Sequence, residues 1–347
     1  RKHRAIGVRV LPDGVEGADG TPGWFIPGKF RFCLACRTAW GAQGKDFTRL
    51  ASLSAEGRSS ATTILTASVL RWMHDAGELE EISRKLLGFV DNRQDAALQA
   101  GHFNDFVNVT LVRGAFLLAA RRAGQEGLAL DQVGAELEKA LGFDQEPETG
   151  KDPHDTHLAT WLKDPAVAVS RRQEAREVIR WVLAYRVWLE QRRSWRYTNP
   201  SLDRLGLVRT EYRGLHTLVN DNARMATAPG TLPSATPETR EAVIRTLLDY
   251  MREGSAIDTA QFDQTTFERQ RDRGEPLLHA TWAISRDERV KSAAWFTVDA
   301  PQVTGRDAGA VVRGGFTSVL GRTLRSSTLW NDAHGTALNR DRYDAVV

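Results

Sequence analysis

A short block of polar residues, Asp91-Asn92-Arg93-Gln94-Asp95, carries side chains that can hold phosphate oxygens. A guanidinium can donate to two oxygens at once, and the amides of Asn92 and Gln94 add further donors. The block follows the largely apolar segment 85–90, whose length favours a strand of a buried parallel sheet, and a long helix is expected from about residue 94 to residue 123. Ligands of open parallel sheets bind where helix N-termini follow the strands, so Asn92, Arg93 and Gln94 are candidate phosphate contacts.

The same block also has a purely structural interpretation. Asp91 and Asp95 could cap the helix that follows, because carboxylates favour helix N-termini, and Arg93 could pair with one of them. Both interpretations require a helix that starts at this block.

Cys33 and Cys36 are the two cysteines of the chain and form a Cys-x-x-Cys pair. Tetrahedral zinc needs four ligands, of which such a turn supplies two, so the pair is a candidate half of a Zn²⁺ site. A redox pair is less favoured because no thioredoxin-like βαβ pattern surrounds it, and two unreactive buried thiols are a third interpretation. Two cysteines at this spacing do not make a disulfide framework, which favours a reducing, cytoplasmic compartment.

A basic segment from Arg171 to Arg196 combines eight arginines with Trp181, Trp188 and Trp195. Guanidinium groups can grip phosphates and indoles can stack on bases. The apolar residues of the segment nevertheless recur at helical spacing, which favours an amphipathic core helix with buried tryptophans and solvated arginines.

A second cluster comprises Asp152, His154, Asp155 and His157. These are metal-ligand types, but they lie in the polar, proline-containing segment 144–165, which has no apolar frame to fix their geometry. A solvated loop or linker is therefore the better interpretation.

The composition is that of a globular protein, with 41% hydrophobic and 26% charged residues and no apolar run of about 18 residues that could cross a bilayer. At 347 residues the chain is long enough for two or three compact units. The net charge of +3 is too mildly basic to identify a partner. The chain opens on Arg1 without an initiator methionine or an apolar leader, so we expect an internal piece of a longer protein.

Apolar periodicity predicts further helices. They are expected over about 56–73, 128–141, 171–195 and 237–252, with Gly77 and Gly142 near the ends of the first two. Alternation of apolar and polar residues within 24–32 predicts a short strand before the cysteine pair.

The strand, the block 91–95 and the helix together resemble the opening of the second RecA-like domain of the large bacterial DEAD/DEAH-box helicases of superfamily 2. The resemblance extends upstream over 51–63, which is similar to the segment that joins the two motor domains. Downstream it covers 101–107 and, more weakly, 195–215. It implies an α/β fold with a large helical part, in which a parallel-sheet, RecA-like entry is followed by a mainly helical extension.

The resemblance also implies a division into three parts. Residues 1–50 would form a small accessory segment with the Cys-x-x-Cys knuckle. Residues 51–125 would form the interdomain linker and the start of the second RecA-like domain, and residues 126–347 a mainly helical insertion or extension.

The function implied is part of an ATP-dependent nucleic-acid helicase or translocase. Asn92, Arg93 and Gln94 would correspond to motif IV, which holds the nucleic-acid backbone, and Arg58 and Ser59 would contact phosphates or the neighbouring domain. A motor that moves along any sequence should grip phosphates rather than read bases. The partners would be DNA or RNA and the first motor domain, with no membrane involved.

The cofactors implied are those of the parent protein, ATP and Mg²⁺. Related helicases often carry a zinc knuckle before the second motor domain, so Cys33 and Cys36 would bind Zn²⁺ together with a second pair upstream of Arg1.

The sequence also departs from the family. It contains no Gly-x-x-x-x-Gly-Lys-Ser/Thr phosphate loop, since the nearest segment, 41–46, has the wrong spacing, and no Asp-Glu-x-His/Asp box. Residues 321–325 only faintly resemble the late arginine motif. We therefore expect this chain alone not to hydrolyse ATP, and the alternative function is a non-catalytic helical module that binds nucleic acid or protein.

Overall fold

The computed structural model describes residues 6–11, 15–25, 62–76, 80, 83, 85–86, 93–147, 149–192, 201–228, 232–298, 311–326, 340–344 and 347. For the helix that starts at Arg93, side chains are described from Asn108 onward. The chain divides into two compact units, Arg1–Phe89 and Val90–Val347. The predicted division into three parts stays a prediction.

The first unit contains an antiparallel hairpin and a helix. Strands β1 (Ile6–Val10) and β2 (Thr21–Phe25) pair with Ile6 opposite Phe25 and Val10 opposite Thr21. The guanidinium of Arg9 donates to the carbonyl oxygens of Ala18 and Gly20, each at 3.0 Å, and thereby holds the connection between the strands. Helix α1 covers residues 62–75, which confirms the helix predicted in this region.

The second unit is mainly helical in its described part. Its elements, in chain order, are α2 (Arg93–Ala123), α3 (Val133–Leu141), α4 (Val169–Gln191), α5 (Leu215–Asn220), α6 (Asn222–Met225), α7 (Pro237–Glu253), α8 (Gln264–Gly274), β3 (Trp295–Thr297), β4 (Val311–Arg313), α9 (Val319–Ser326) and α10 (Arg340–Asp344). Short 3-10 turns cover Gly124–Glu126, Pro153–Asp155, His157–Thr160, Leu232–Ser234 and Ala260–Phe262. The two sheets of the described residues are both two-stranded, and β3 and β4 run parallel.

These elements confirm most of the predicted helices. The expected long helix is α2, and α7 begins at Pro237 as predicted, capped by the Thr236 hydroxyl. Helix α3 ends where Gly142 takes a left-handed backbone with a φ of 74°, which favours glycine. Helix α4 ends earlier than predicted, because the backbone is already extended at Arg192.

The fold class is confirmed at a coarse level, as a helix-rich fold with small sheets. Lys85 and Leu86 are not in a strand, and the rest of the predicted strand, residues 87–90, lies outside the described residues. A RecA-like parallel sheet therefore stays an expectation. Within the part of the chain that is described, no helix is both long and apolar enough to span a bilayer.

Helix α4 is the centre of the main hydrophobic core. Val178, Val182, Tyr185 and Leu189 form a stripe along it, and each is at most 1% exposed. Helices α2, α3 and α8 pack around this stripe. Trp181 and Trp188 are partly buried against the same core, which confirms the prediction that they are packing residues. Trp195 lies outside the described residues.

Segment 144–165 contributes to the core, so its interpretation as a solvated linker was wrong. It carries two 3-10 turns, and Leu158, Trp161 and Leu162 are at most 2% exposed. Phe143 stacks on Trp161 with ring centroids 5.5 Å apart. The polar residues of the segment concealed three apolar ones at helical spacing, and these three anchor it.

The contact between α3 and α4 combines a close backbone approach with a buried ion pair. A Cβ at Gly134 would lie 2.2 Å from the carbonyl oxygen of Arg180, so only glycine fits there. One turn later, the Glu138 side chain is 1% exposed and accepts from Arg180 and, at 2.6 Å, from Nε of Arg176. The buried carboxylate of Glu138 thus links α3 to α4.

A second, smaller core lies among α5, α6, α7, α9 and α10 and is organised around Arg240. This residue is 4% exposed, and its guanidinium donates to the carbonyl oxygens of Val219, Leu232 and Pro233 and to the side-chain oxygen of Asn222. Its donors thus join the last turn of α5 to the 3-10 turn Leu232–Ser234, where backbone carbonyls have room for a further hydrogen bond.

The two cores are joined by Arg252 on α7, which is 6% exposed. Its guanidinium donates to the side-chain oxygen of Gln191, at the end of α4, and lies 3.1 Å from carboxylate oxygens of both Asp203 and Asp249. A paired, buried guanidinium with this many acceptors holds the end of α4 against α7.

We expect Glu138→Gln to lower the free energy of unfolding by roughly 1.5–3 kcal/mol, because a neutral amide removes charge assistance from two buried hydrogen bonds. Denaturant titration followed by tryptophan fluorescence measures the change. The matched control is Glu136→Gln on the same helix, whose partner Lys139 is 53% exposed, and which should change stability by less than about 0.5 kcal/mol. Equal effects of the two variants would contradict the role given to Glu138.

Candidate functional site

The predicted phosphate contacts lie at the start of α2. Arg93 and Gln94 are its first two residues, one residue earlier than the predicted helix start at about Gln94, and their side chains are not among those described. Asn92, Arg58 and Ser59 lie outside the described residues, as do Cys33 and Cys36. The assignments of these residues to nucleic acid and to zinc stay predictions.

The cluster of Asp and His residues at 152–157 serves its own turns. The carboxylate of Asp152 accepts from the backbone N–H of His154 at 2.9 Å, and Nε2 of His157 lies 2.9 Å from the carbonyl oxygen of Gln145. Among the residues that the structure describes, no group of three or more His, Cys, Asp or Glu side chains is arranged to hold a metal ion. Asp152, His154 and Asp155 are exposed, so the solvated-loop interpretation holds for these three residues although the segment around them enters the core.

The arginines of α4 are engaged by carboxylates, so they are neither a free phosphate-binding stripe nor simply solvated. Besides the two that bind Glu138, Arg171 lies 2.7 Å from Glu174 and Arg172 lies 3.3 Å from Glu146. Arg186 forms a two-fold hydrogen bond with Glu288, one arm of which measures 2.8 Å. Sequence periodicity could not show this, because Glu288 is 102 residues away.

A cleft of about 340 Å³ lies between α2, α4 and residues 288–291. Its apolar wall comes from Val109 and Val112 of α2 and Leu189 of α4. This volume is at the lower end of the range for small-molecule sites, about 300–1,000 Å³. The cleft therefore has room for one small ligand or one unit of a polymer.

The charges around the cleft leave an excess of cations. Its two carboxylates are paired: Glu190 accepts from Arg113, with Nη2 at 2.7 Å, and Glu288 accepts from Arg186. Arg289 and Lys291 also line the cleft and are exposed, and no described carboxylate lies within 4.0 Å of either. An anion is the complementary ligand for two cations without a carboxylate partner.

Tyr185 lines the cleft and is held in one orientation by aromatic neighbours. Its ring stacks on Trp181 with centroids 5.4 Å apart and meets the edge of Phe267 at 5.3 Å. The side chain is 0% exposed, and no described residue accepts the proton of its hydroxyl group. Burial raises the pKa of Tyr185 to about 12, Glu288 adds to the increase, and Arg186 opposes it. The hydroxyl is therefore a proton donor at neutral pH, directed at no protein acceptor.

Sequence reasoning missed this cleft. The helical periodicity of segment 171–195 places Tyr185 among its apolar positions, and nothing in the sequence distinguishes a packed tyrosine with a satisfied hydroxyl from one without. Segment 288–291 carries alternating charges but no motif. The nearest available signal was the density of arginines on α4.

Tyr185→Phe should leave the free energy of unfolding at pH 7 within about 0.5 kcal/mol of wild type, because no described protein acceptor loses a donor when the hydroxyl is removed. The matched control is Tyr212→Phe, whose hydroxyl donates to Asp249 at 2.8 Å and is approached by Nε of Arg252 at 3.3 Å. The control should lose roughly 1–3 kcal/mol in the same denaturant titration. A comparable loss in Tyr185→Phe would mean that its hydroxyl has a structural partner.

The raised pKa of Tyr185 predicts a loss of stability at alkaline pH. In the unfolded chain the phenol ionises near its ordinary pKa of 10.0, whereas the folded chain keeps the proton up to about pH 12. Between these values the unfolded state binds fewer protons, so stability falls as pH rises. Denaturant titrations from pH 9 to pH 12 should show a shallower decline for Tyr185→Phe than for wild type, and parallel declines would contradict the shift.

The comparisons with known proteins supply no name for these features. No family model, no curated protein and no solved structure matches the chain. The start of α2 and the cleft are therefore interpreted from their own chemistry.

Proposed function

We propose that this chain is the part of an ATP-dependent helicase or translocase that binds nucleic acid. Asn92, Arg93 and Gln94 would contact the phosphate backbone of the nucleic-acid strand. The observation that carries the proposal is the start of α2 at Arg93, within the polar block that resembles motif IV. A helix N-terminus presents unpaired N–H groups and the positive end of the helix dipole, both of which favour phosphate.

The far end of α2 supports a role in interdomain coupling. Val112, Ala115 and Ala119 are at most 5% exposed and lie in the main core. The adjacent Arg113 pairs with the buried carboxylate of Glu190 on α4. The helix has 31 residues and is therefore about 45 Å long. A rigid helix of this length, packed into the main core at its C-terminal end, can transmit a displacement of the bound nucleic-acid strand to that core.

The remaining parts of the proposal follow the resemblance. ATP and Mg²⁺ would be held by the first motor domain, which is a partner of this chain, and no hydrolytic step is assigned to these residues. Arg58 and Ser59 would contact phosphate or that domain, Cys33 and Cys36 would supply half of a Zn²⁺ site, and the compartment would be the cytoplasm. The strand itself would be DNA or RNA.

The second candidate is a non-catalytic helical module that binds nucleic acid or protein without an attached motor. It is favoured by the largely helical character of the described residues and by the pairing of the α4 arginines with carboxylates. The two candidates differ in the parent gene, since only a helicase needs a phosphate loop and a late arginine motif in the flanking sequence.

Fluorescence anisotropy of labelled single-stranded DNA, titrated with the chain over a salt series, tests whether the start of α2 binds nucleic acid. We expect salt-sensitive binding, and we expect Arg93→Ala to weaken it and to reduce the slope of log K against log salt by about 0.7, the value for one phosphate contact. The matched control is Arg122→Ala, an exposed arginine in the last turn of the same helix, which should bind like wild type.

Three results would count against the proposal. Unchanged binding by Arg93→Ala would make Arg93 a structural residue of the helix start. An equal loss in Arg122→Ala would indicate a general charge effect. No binding by the wild-type chain at low salt would make the chain a scaffold.

A further inference from the structure

The cleft between α2, α4 and residues 288–291 combines three features that a ligand would have to satisfy together. Arg289 and Lys291 have no carboxylate partner among the described residues, the Tyr185 hydroxyl has no acceptor there, and one wall is apolar. A buried donor without an acceptor is uncommon in folded proteins, because it forfeits the hydrogen bond it makes with water in the unfolded chain.

Asn108 supplies a complementary acceptor. Its side-chain amide nitrogen donates to the carbonyl oxygen of Thr281 at 2.9 Å, and no described residue donates to its amide oxygen. Asn108 lines the cleft, so this oxygen is the acceptor that the cleft can offer. Tyr185 and Asn108 thus offer one donor and one acceptor. The hydrogen-bonding edge of a nucleobase carries the same combination.

We propose that this cleft binds one nucleotide, with its phosphate on Arg289 and Lys291 and its base between the apolar wall and the Tyr185 hydroxyl. The flat base suits Val109, Val112 and Leu189, and the phosphate stays at the exposed rim, where its desolvation is incomplete. Glu190 and Glu288 do not oppose it, because each is already neutralised by an arginine.

The nucleotide has two sources, a free mononucleotide or one unit of a single strand. Binding of one unit of a single strand rests on the proposed function, since the nucleic-acid strand would then contact both the start of α2 and this cleft. The free source does not depend on it. The binding chemistry is the same in both.

Isothermal titration calorimetry with the full chain tests the proposal, using thymidine monophosphate, thymidine and inorganic phosphate as probes. The monophosphate should bind about tenfold or more tightly than either fragment, because only it engages both ends of the cleft. Arg289→Ala with Lys291→Ala should reduce its affinity about tenfold or more, and Tyr185→Phe about threefold to tenfold.

The matched control is Arg286→Ala. This arginine lies two residues before the segment 288–291, its side chain is 79% exposed and pairs with Glu275, and it does not line the cleft. It should bind the monophosphate like wild type. The proposal is overturned if this control loses as much affinity as the cleft variants, if Tyr185→Phe binds like wild type, if phosphate binds as tightly as the nucleotide, or if no probe binds.

Binding of an oligothymidylate strand then separates the two sources. If the cleft variants weaken both the strand and the monophosphate, the nucleotide is a unit of the strand. If they weaken the monophosphate alone, it is a free ligand. Arg93→Ala should leave monophosphate binding intact in either case, so failure of the grip at α2 is distinguishable from failure of the cleft.

Discussion

A single buried carboxylate, Glu138, determines how the main helical core is assembled. Its two oxygens are occupied by Arg176 and Arg180, and the adjacent Gly134 lets the backbones of α3 and α4 come close enough for these contacts. A charge with 1% exposure is tolerated only when it is paired and hydrogen-bonded, so the rotation and the register of α3 on α4 are coupled.

Once α4 is placed, its remaining faces define where chemistry can occur. The stripe through Val178 and Tyr185 enters the core, while Arg186 and Glu190 face α2 and the 288–291 segment. Both residues are neutralised by partners from those elements. The ion pairs therefore do two things: they attach distant segments to α4, and they leave Arg289 and Lys291 as the cations without a carboxylate among the described residues of the cleft.

Arginine has a different role in each part of the second unit. On α4 it pairs with carboxylates, at Arg240 it donates to backbone carbonyls of α5 and of a 3-10 turn, and at Arg252 it joins the two cores through Gln191. Five donors in a rigid plane allow one side chain to satisfy several acceptors that the helices and strands leave unpaired. These arginines of the described residues are accounted for by internal contacts, so they are weak evidence for a nucleic-acid surface.

The sequence by itself determined helices α2, α3, α4 and α7 and the packing role of Trp181 and Trp188, because periodicity and capping depend on residues within one or two turns. Only the tertiary structure decided that segment 144–165 enters the core, that the arginines of α4 are paired, and that Tyr185 meets Arg289 and Lys291 in one cleft. Glu138 and Glu288 lie 38 to 102 residues from the arginines they bind. Contacts over such separations are set by how helices pack, which no local pattern encodes.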